Sequence, residues 1–222
     1  MNLVSEQPIL NFPVDREHVR LRLGVVVLFV ALWCISFAII NAFIPSSGLN
    51  IIAGLIAFGL AALGGRLIEP RLKQFWPSGR NLKLDNSGAY FIKNGQMQIE
   101  ISATSTANVH YWRFKIPRRG RMPKGWYVVA CAVQQDDTYL AVYTFASPHK
   151  ADQLNQVVKF TDLVSDKSKP DMARTESLRT AGEQRRLRTA EQHRWHNGGE
   201  LSHEDFEQFL HTLNGQFPLW NT

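Results

Sequence analysis

The chain predicts an α+β fold in which a two-helix membrane hairpin precedes a small β domain, and three observations carry this. Residues 23–44 and 49–65 are two uncharged, mostly apolar runs separated by a short break. Residues 81–145 form a series of short β-rich runs, some alternating apolar and polar, between turn signals. An amphipathic pattern opened by Ser147 and Pro148 comes next. Together they describe a transmembrane helical hairpin, then a small antiparallel β-sandwich or barrel capped by a C-terminal helix, then a helical tail.

The first run has 22 residues. At about 1.5 Å per residue it spans roughly 33 Å as a helix, enough to cross a hydrocarbon core of about 30 Å. The break Pro45-Ser46-Ser47-Gly48 leads into a second run of 17 residues, at the short end for a crossing and also compatible with a re-entrant or tilted insertion. A soluble core would have to wrap both segments with the modestly apolar remainder of the chain, which is too little material. Against a signal peptide, the first run is longer than a typical h-region, and a second apolar run follows where cleavage would leave mature protein. Small residues recur every fourth position: Cys34, Ala38 and Ala42 in the first run, Ala53, Ala57 and Ala61 in the second. The two sets are symmetric about the Ser47–Gly48 bond, so an antiparallel hairpin turning there would pair them as a close-packed seam.

Basic residues set the sidedness. Arg16, Arg20 and Arg22 precede the hairpin, Arg66, Arg71, Lys73, Arg80 and Lys83 follow it, and the connection carries no charge. The positive-inside rule places both termini in the cytoplasm, with the chain in the cytoplasmic membrane. The domain plan is a cytoplasmic segment over 1–22, the hairpin over 23–65, a basic juxtamembrane segment over 66–80, a β domain over 81–165, and a linker with a helical tail over 166–222.

Within the β domain, Asp85-Asn86-Ser87-Gly88 and Asn94-Gly95 are turn signals, the second a strong hairpin dipeptide. Met97, Ile99 and Ile101 alternate with polar neighbours, and two aromatic, β-branched runs cover 109–116 and 126–133. Residues 139–145 supply a further strand. Ser147 as N-cap and Pro148 as first helical residue open a helix expected to reach about residue 164, with Leu154, Val157, Val158 and Thr161 on one face. The Leu82-Lys83-Leu84-Asp85 run before Gly88, the strand centred on Trp112 and the helix from Ser147 resemble the bacterial pleckstrin-homology-like domains. The resemblance implies an interaction or lipid-surface module with no fixed ligand residues.

In the tail, the apolar positions of 172–195 are sparse and Gly182 interrupts them, predicting a solvated or partner-dependent helix. Residues 201–214 are better defined. Ser202 caps with Asp205 three positions on, and Phe206, Phe209, Leu210 and Leu213 form one stripe. The stretch 198–207 is similar to the short C-terminal helical domains that end some bacterial membrane proteins, which implies oligomerisation or a protein contact; the other reading is a small helix packing back on the β domain.

No pattern for catalysis emerges. Cys34 and Cys131 lie in no disulfide or metal-binding spacing, and no nucleophile elbow or phosphate loop is present. His193, His196, Glu200 and His203 are interrupted by Gly198-Gly199, so no metal or cofactor is expected. The sharpest polar feature is Arg118, Arg119, Arg121 and Lys124 in one loop between aromatic strands. It reads as a solvated hairpin loop or as a contact for anionic lipid or acidic protein; nucleic acid fits less well, because alternate aromatics of the flanking strands must face the core. The expectation is a non-enzymatic membrane-tethered scaffold or accessory subunit, with membrane lipids and a protein partner or second copy around it and no small-molecule substrate inferred. The alternative is a module that reads anionic lipid surfaces through the basic loop.

Overall fold

A computed structural model describes residues 9–15, 19–44, 50–117, 122–164, 174–217 and 219–221. The fold is mixed α+β and divides into two units, one of residues 16–78 and one of residues 1–15 with 79–222.

The first unit is the hairpin of α1 (Val19–Phe43) and α2 (Ile51–Phe75). Asn50 caps α2: its side-chain oxygen accepts from Ala53 N at 3.0 Å while its Nδ2 donates to Ile44 O at 2.6 Å. One buried amide thereby ties the end of α1 to the start of α2. The second helix outruns the expected segment, because Arg66, Leu67, Leu72 and their neighbours continue as good helix formers past the last uncharged position. Both helices are long and apolar enough to cross a membrane.

Ala53, Ala57 and Ala61 are buried along one face of α2, as the fourfold spacing predicts. Cys34, Ala38 and Ala42 do not meet them. These three lie on an exposed side of α1, and larger half-buried side chains such as Leu28, Phe29, Leu32 and Ile40 occupy the facing stripe. Phe29 meets Phe58 edge-on at 5.4 Å, and Trp33 Nε1 donates to Gly54 O at 3.3 Å. The seam is large-into-small rather than small-on-small: alanines on one helix leave room that bulkier residues of the other fill.

The second unit opens with β1 (Leu10–Pro13), inside the segment expected to be a mere leader to the hairpin. It pairs antiparallel with β2 (Arg80–Asp85), Leu10 opposite Leu84 and Pro13 opposite Asn81. Four residues are too few for a clear period, and a proline weakens the signal; Pro13 is tolerated because β1 is an edge strand. β3 (Gly88–Lys93) and β4 (Gln96–Ser102) complete a four-stranded sheet in the order β1-β2-β3-β4. Their hairpin turns at Asn94 and Gly95 with φ of 51° and 80°, the left-handed pair that this dipeptide favours.

The second sheet is built on three long antiparallel strands, β5 (Ala107–Lys115), β6 (Tyr127–Gln135) and β7 (Thr138–Ala146). Helix α3 (Pro148–Val157) follows, with Ser147 as N-cap and Pro148 at its start. It stops seven residues short of the expected end, at a Val158 in extended conformation, and β8 (Thr161–Asp162) then pairs in parallel with β5. Beyond it come α4 (Arg174–Asn197), β9 (Gly199–Glu200), α5 (His203–Gln216) and β10 (Trp220–Asn221). β9 and β10 add parallel edges to β7 and β5.

Residues 174–221 are therefore integral to the unit rather than a tail. Phe206, Phe209, Leu210 and Leu213 of α5 enter the main core, between Leu82, Leu84, Phe91 and Ile101 of one sheet and Val129, Cys131, Val133 and Val142 of the other. Asp15 anchors the N-terminal strand to the far end of the chain. Its backbone N donates to Glu200 O, its Oδ1 accepts from Glu200 N, and its Oδ2 pairs with Arg80 at 3.1 Å. Gly199 permits that approach: a Cβ there would stand 2.6 Å from Val14 and 2.8 Å from Phe91.

Candidate functional site

The outer face of the six-stranded sheet holds the site. β6 reads as an unbroken apolar run, and a strand of that kind must be covered on both sides. One side is the main core. The other carries Trp112, Ala130, Ala132 and Ala141, on which α4 lays Leu187 and Ala190. Three alanines in the sheet let the helix approach closely.

Polar contacts supply most of the fastening. Trp112 Nε1 donates to Glu191 Oε2 at 2.9 Å, and the Arg194 guanidinium grips the same carboxylate at 2.7 and 2.6 Å. Arg194 is 6% exposed and stands 4.6 Å over the Tyr143 ring. Along the helix, Gln184 accepts from Val164 N and donates to Asp162 O, each at 3.0 Å, which pins the segment after β8 against α4. Arg113 reaches Asp162 at 2.9 Å and Asp152 at 3.3 Å from the sheet side.

Where the alanine floor ends, a groove of about 710 Å³ opens between sheet and helix. Asn108, His110 and Gln134 form its floor, with His110 Nε2 and Gln134 Oε1 3.1 Å apart. Tyr139 lines one end, its ring stacked at 4.0 Å on His193; burial, and then the nearby Asp137, push its phenol above the ordinary value. Lys159 and Thr161 stand on one wall, and Glu183, Arg185 and Arg186 of α4 on the other. Thr161 Oγ1 donates to Glu183 at 3.0 Å and bridges the two walls.

Searches against family models, curated proteins and solved structures find no match. The groove has to be understood from its own chemistry.

Of the basic loop singled out from the sequence, Arg118, Arg119 and Arg121 lie outside the described residues. Lys124 is exposed in the turn before β6, and that turn is closed by Gly125 N donating to Ile116 O at 3.1 Å. His193 is committed to Tyr139, and His196 lies 2.8 Å from Gln192 O on the exposed side of α4. Among the described residues no three His, Cys, Asp or Glu side chains are placed to hold a metal ion. Cys131 sits in the main core, where burial pushes its thiol up and keeps it protonated. The groove cations Lys159, Arg185 and Arg186 were not singled out by sequence reasoning. The available signal was the Arg185-Arg186 pair beside Leu187, which places charges next to the one apolar side chain that seats that turn of the helix.

Proposed function

We propose that the chain is a two-pass integral protein of the cytoplasmic membrane that serves as a membrane-tethered scaffold or accessory subunit, with both termini and the β unit in the cytoplasm. The pairing of β1 with β2 carries this reading. One strand precedes the hairpin and the other follows it, yet they are hydrogen-bonded neighbours in register from Leu10↔Leu84 to Pro13↔Asn81. A chain that crosses a bilayer twice can make that pairing; one that crosses once cannot. Cleavage after the first helix, as of a signal peptide, would separate β1 from its partner.

The surface of the hairpin supports a lipid setting. Val26, Val27, Ile35, Ile39, Leu55 and Leu63 are each more than half exposed. None of the first apolar window is buried and only 17% of the second, the reverse of a soluble core helix. Such an apolar face in water would be an aggregation site. Sidedness rests on Arg20 and Arg22 in the first turns of α1 and Arg66 and Arg71 in the last turns of α2, against an uncharged connection. Attachment through both ends of the hairpin suits a domain that holds a partner close to the bilayer. The likeness to pleckstrin-homology-like modules points the same way, toward interaction rather than catalysis.

The test is fractionation of cells making the full chain, with fluorescent-protein fusions at each end. Expected are retention in the membrane pellet through an alkaline carbonate wash and fluorescence from both fusions. Full-length protein in the supernatant without detergent, or one dark fusion, overturns the topology. Mild-detergent purification then reports the scaffold role: co-purification of a stoichiometric partner supports it, and a lone monomer that binds anionic vesicles instead supports the lipid-surface alternative.

A further inference from the structure

The groove between α4 and the outer face of the sheet differs from the rest of that face in its uncompensated charge. Toward the other end of the groove helix, Arg194 is paired with Glu191. Lys159, Arg185 and Arg186 line the groove from two facing elements, and among the described residues none of them is in an ion pair. Among the described residues the groove's one carboxylate is Glu183, which already accepts a hydrogen bond from Thr161. Like charges gathered at a concave surface focus the field and draw an anion in. With three cations to one engaged acid, this site is built for negative charge.

Size and shape narrow the ligand. A concavity of about 710 Å³ falls in the range of small-molecule and cofactor sites. A protein partner needs on the order of 800 Å² of surface on each side. The floor presents amides and an imidazole at Asn108, Gln134 and His110, which suits a polar rather than an apolar ligand. Two guanidinium groups at neighbouring positions match phosphate oxygens in bidentate fashion better than they match a lone carboxylate.

We propose that this groove binds a small molecule bearing two or more phosphate groups, with Lys159, Arg185 and Arg186 holding the anion and Asn108, His110 and Gln134 meeting its polar remainder. The phosphates belong to a free metabolite or to a phosphorylated lipid headgroup, and the experiment separates the two. Full-length protein in nanodiscs of neutral lipid is titrated with inorganic pyrophosphate by calorimetry at low salt. Binding is expected, weakened by about tenfold or more in Arg185→Gln and in Arg186→Gln, and partly restored by Arg186→Lys. Lys93→Gln, an exposed cation on β3, should leave it unchanged. The titration is then repeated in nanodiscs containing phosphatidylinositol bisphosphate. A loss of apparent pyrophosphate affinity there identifies a headgroup as occupant, and unchanged affinity identifies a free phosphate. Three results overturn the proposal: no pyrophosphate binding in either lipid, equal weakening by Lys93→Gln, or binding of polyglutamate where pyrophosphate gives none. Far-UV circular dichroism of each variant guards against misfolding, since the substituted side chains are exposed and their loss should not alter the helix.

Discussion

The two faces of the six-stranded sheet are covered by helices held in opposite ways. On the inner face α5 inserts Phe206, Phe209, Leu210 and Leu213, each 3% exposed or less, among the valines and leucines of both sheets. On the outer face, among its described side chains, α4 contributes Leu187 and Ala190 to the buried apolar contact and is fastened through Glu191 and Arg194. Apolar area is non-directional and close to proportional to what is buried. A charge-assisted network is directional and loses heavily when one member is removed. One helix is therefore a structural plug, while the other is a latched cover with a groove beneath one end.

Substitutions can break this contrast in order of size. The largest effect belongs to Phe206→Ala, which removes a fully buried ring from the main core. It should destabilise the β unit by about 3–5 kcal/mol, read as a lowered urea midpoint of the detergent-solubilised chain with hydrogen exchange rising in both sheets. Glu191→Ala comes next. It strands Arg194 in a dry setting and leaves Trp112 Nε1 without its acceptor, for about 2–3 kcal/mol, less than a fully buried pair because Glu191 retains some solvent contact. The readout that separates the two faces is where exchange increases: α4 alone for Glu191→Ala, the whole unit for Phe206→Ala. Equal loss of protection in α5 after Glu191→Ala would erase the distinction. Ala130→Leu tests the close approach itself. A larger side chain under Leu187 and Ala190 should lift α4 at a cost of about 1–3 kcal/mol and speed tryptic cleavage within that arginine-rich helix.

The same contrast decides what could be seen in the sequence. The stripe on α5 and its Ser202 cap are local: four apolar residues at helical spacing and one hydroxyl in place, with Ser202 accepting from Asp205 N at 3.1 Å. The Asn94-Gly95 hairpin and the Ser147-Pro148 helix start are local in the same sense. The fastening of α4 is not. Trp112 and Glu191 are 79 positions apart, and neither residue marks itself as half of a bond. A helix with two apolar contacts looks solvated until its partner surface is known. The groove compounds the difficulty, because its walls come from four separated stretches around positions 108, 134, 159 and 185. What the sequence does hold is the need for a cover: the stretch 127–133 is apolar on both faces, and such a strand must be buried on each side. In the hairpin, the fourfold spacing located the buried alanines of α2 but not the stripe they meet, since a small residue is compatible with burial and with lipid exposure alike.

The smallest expected effect distinguishes the faces by pH. His203 is the first residue of α5, and its Nδ1 is buried with no hydrogen-bond partner among the described residues. Burial, and then the neighbouring Lys150, hold its pKa below the usual 6.5, outweighing the opposite pull of Glu204 and Glu207. Its place at a helix N-terminus further disfavours an imidazolium. The folded state thus resists protonation more than the unfolded chain does. Above 6.5 both states are neutral and stability is unaffected; as pH falls below that value the unfolded chain takes up the proton first, and stability declines until the folded-state pKa is passed. The urea midpoint should accordingly drop between about pH 7.5 and pH 5.5, by less than any substitution above, and His203→Gln should flatten the drop. Hydrogen exchange over the same interval locates the change: protection should be lost from the first turn of α5, where His203 stands, before it is lost from α4. Protection lost first from α4 would mean that the latch, not the plug, carries the acid sensitivity.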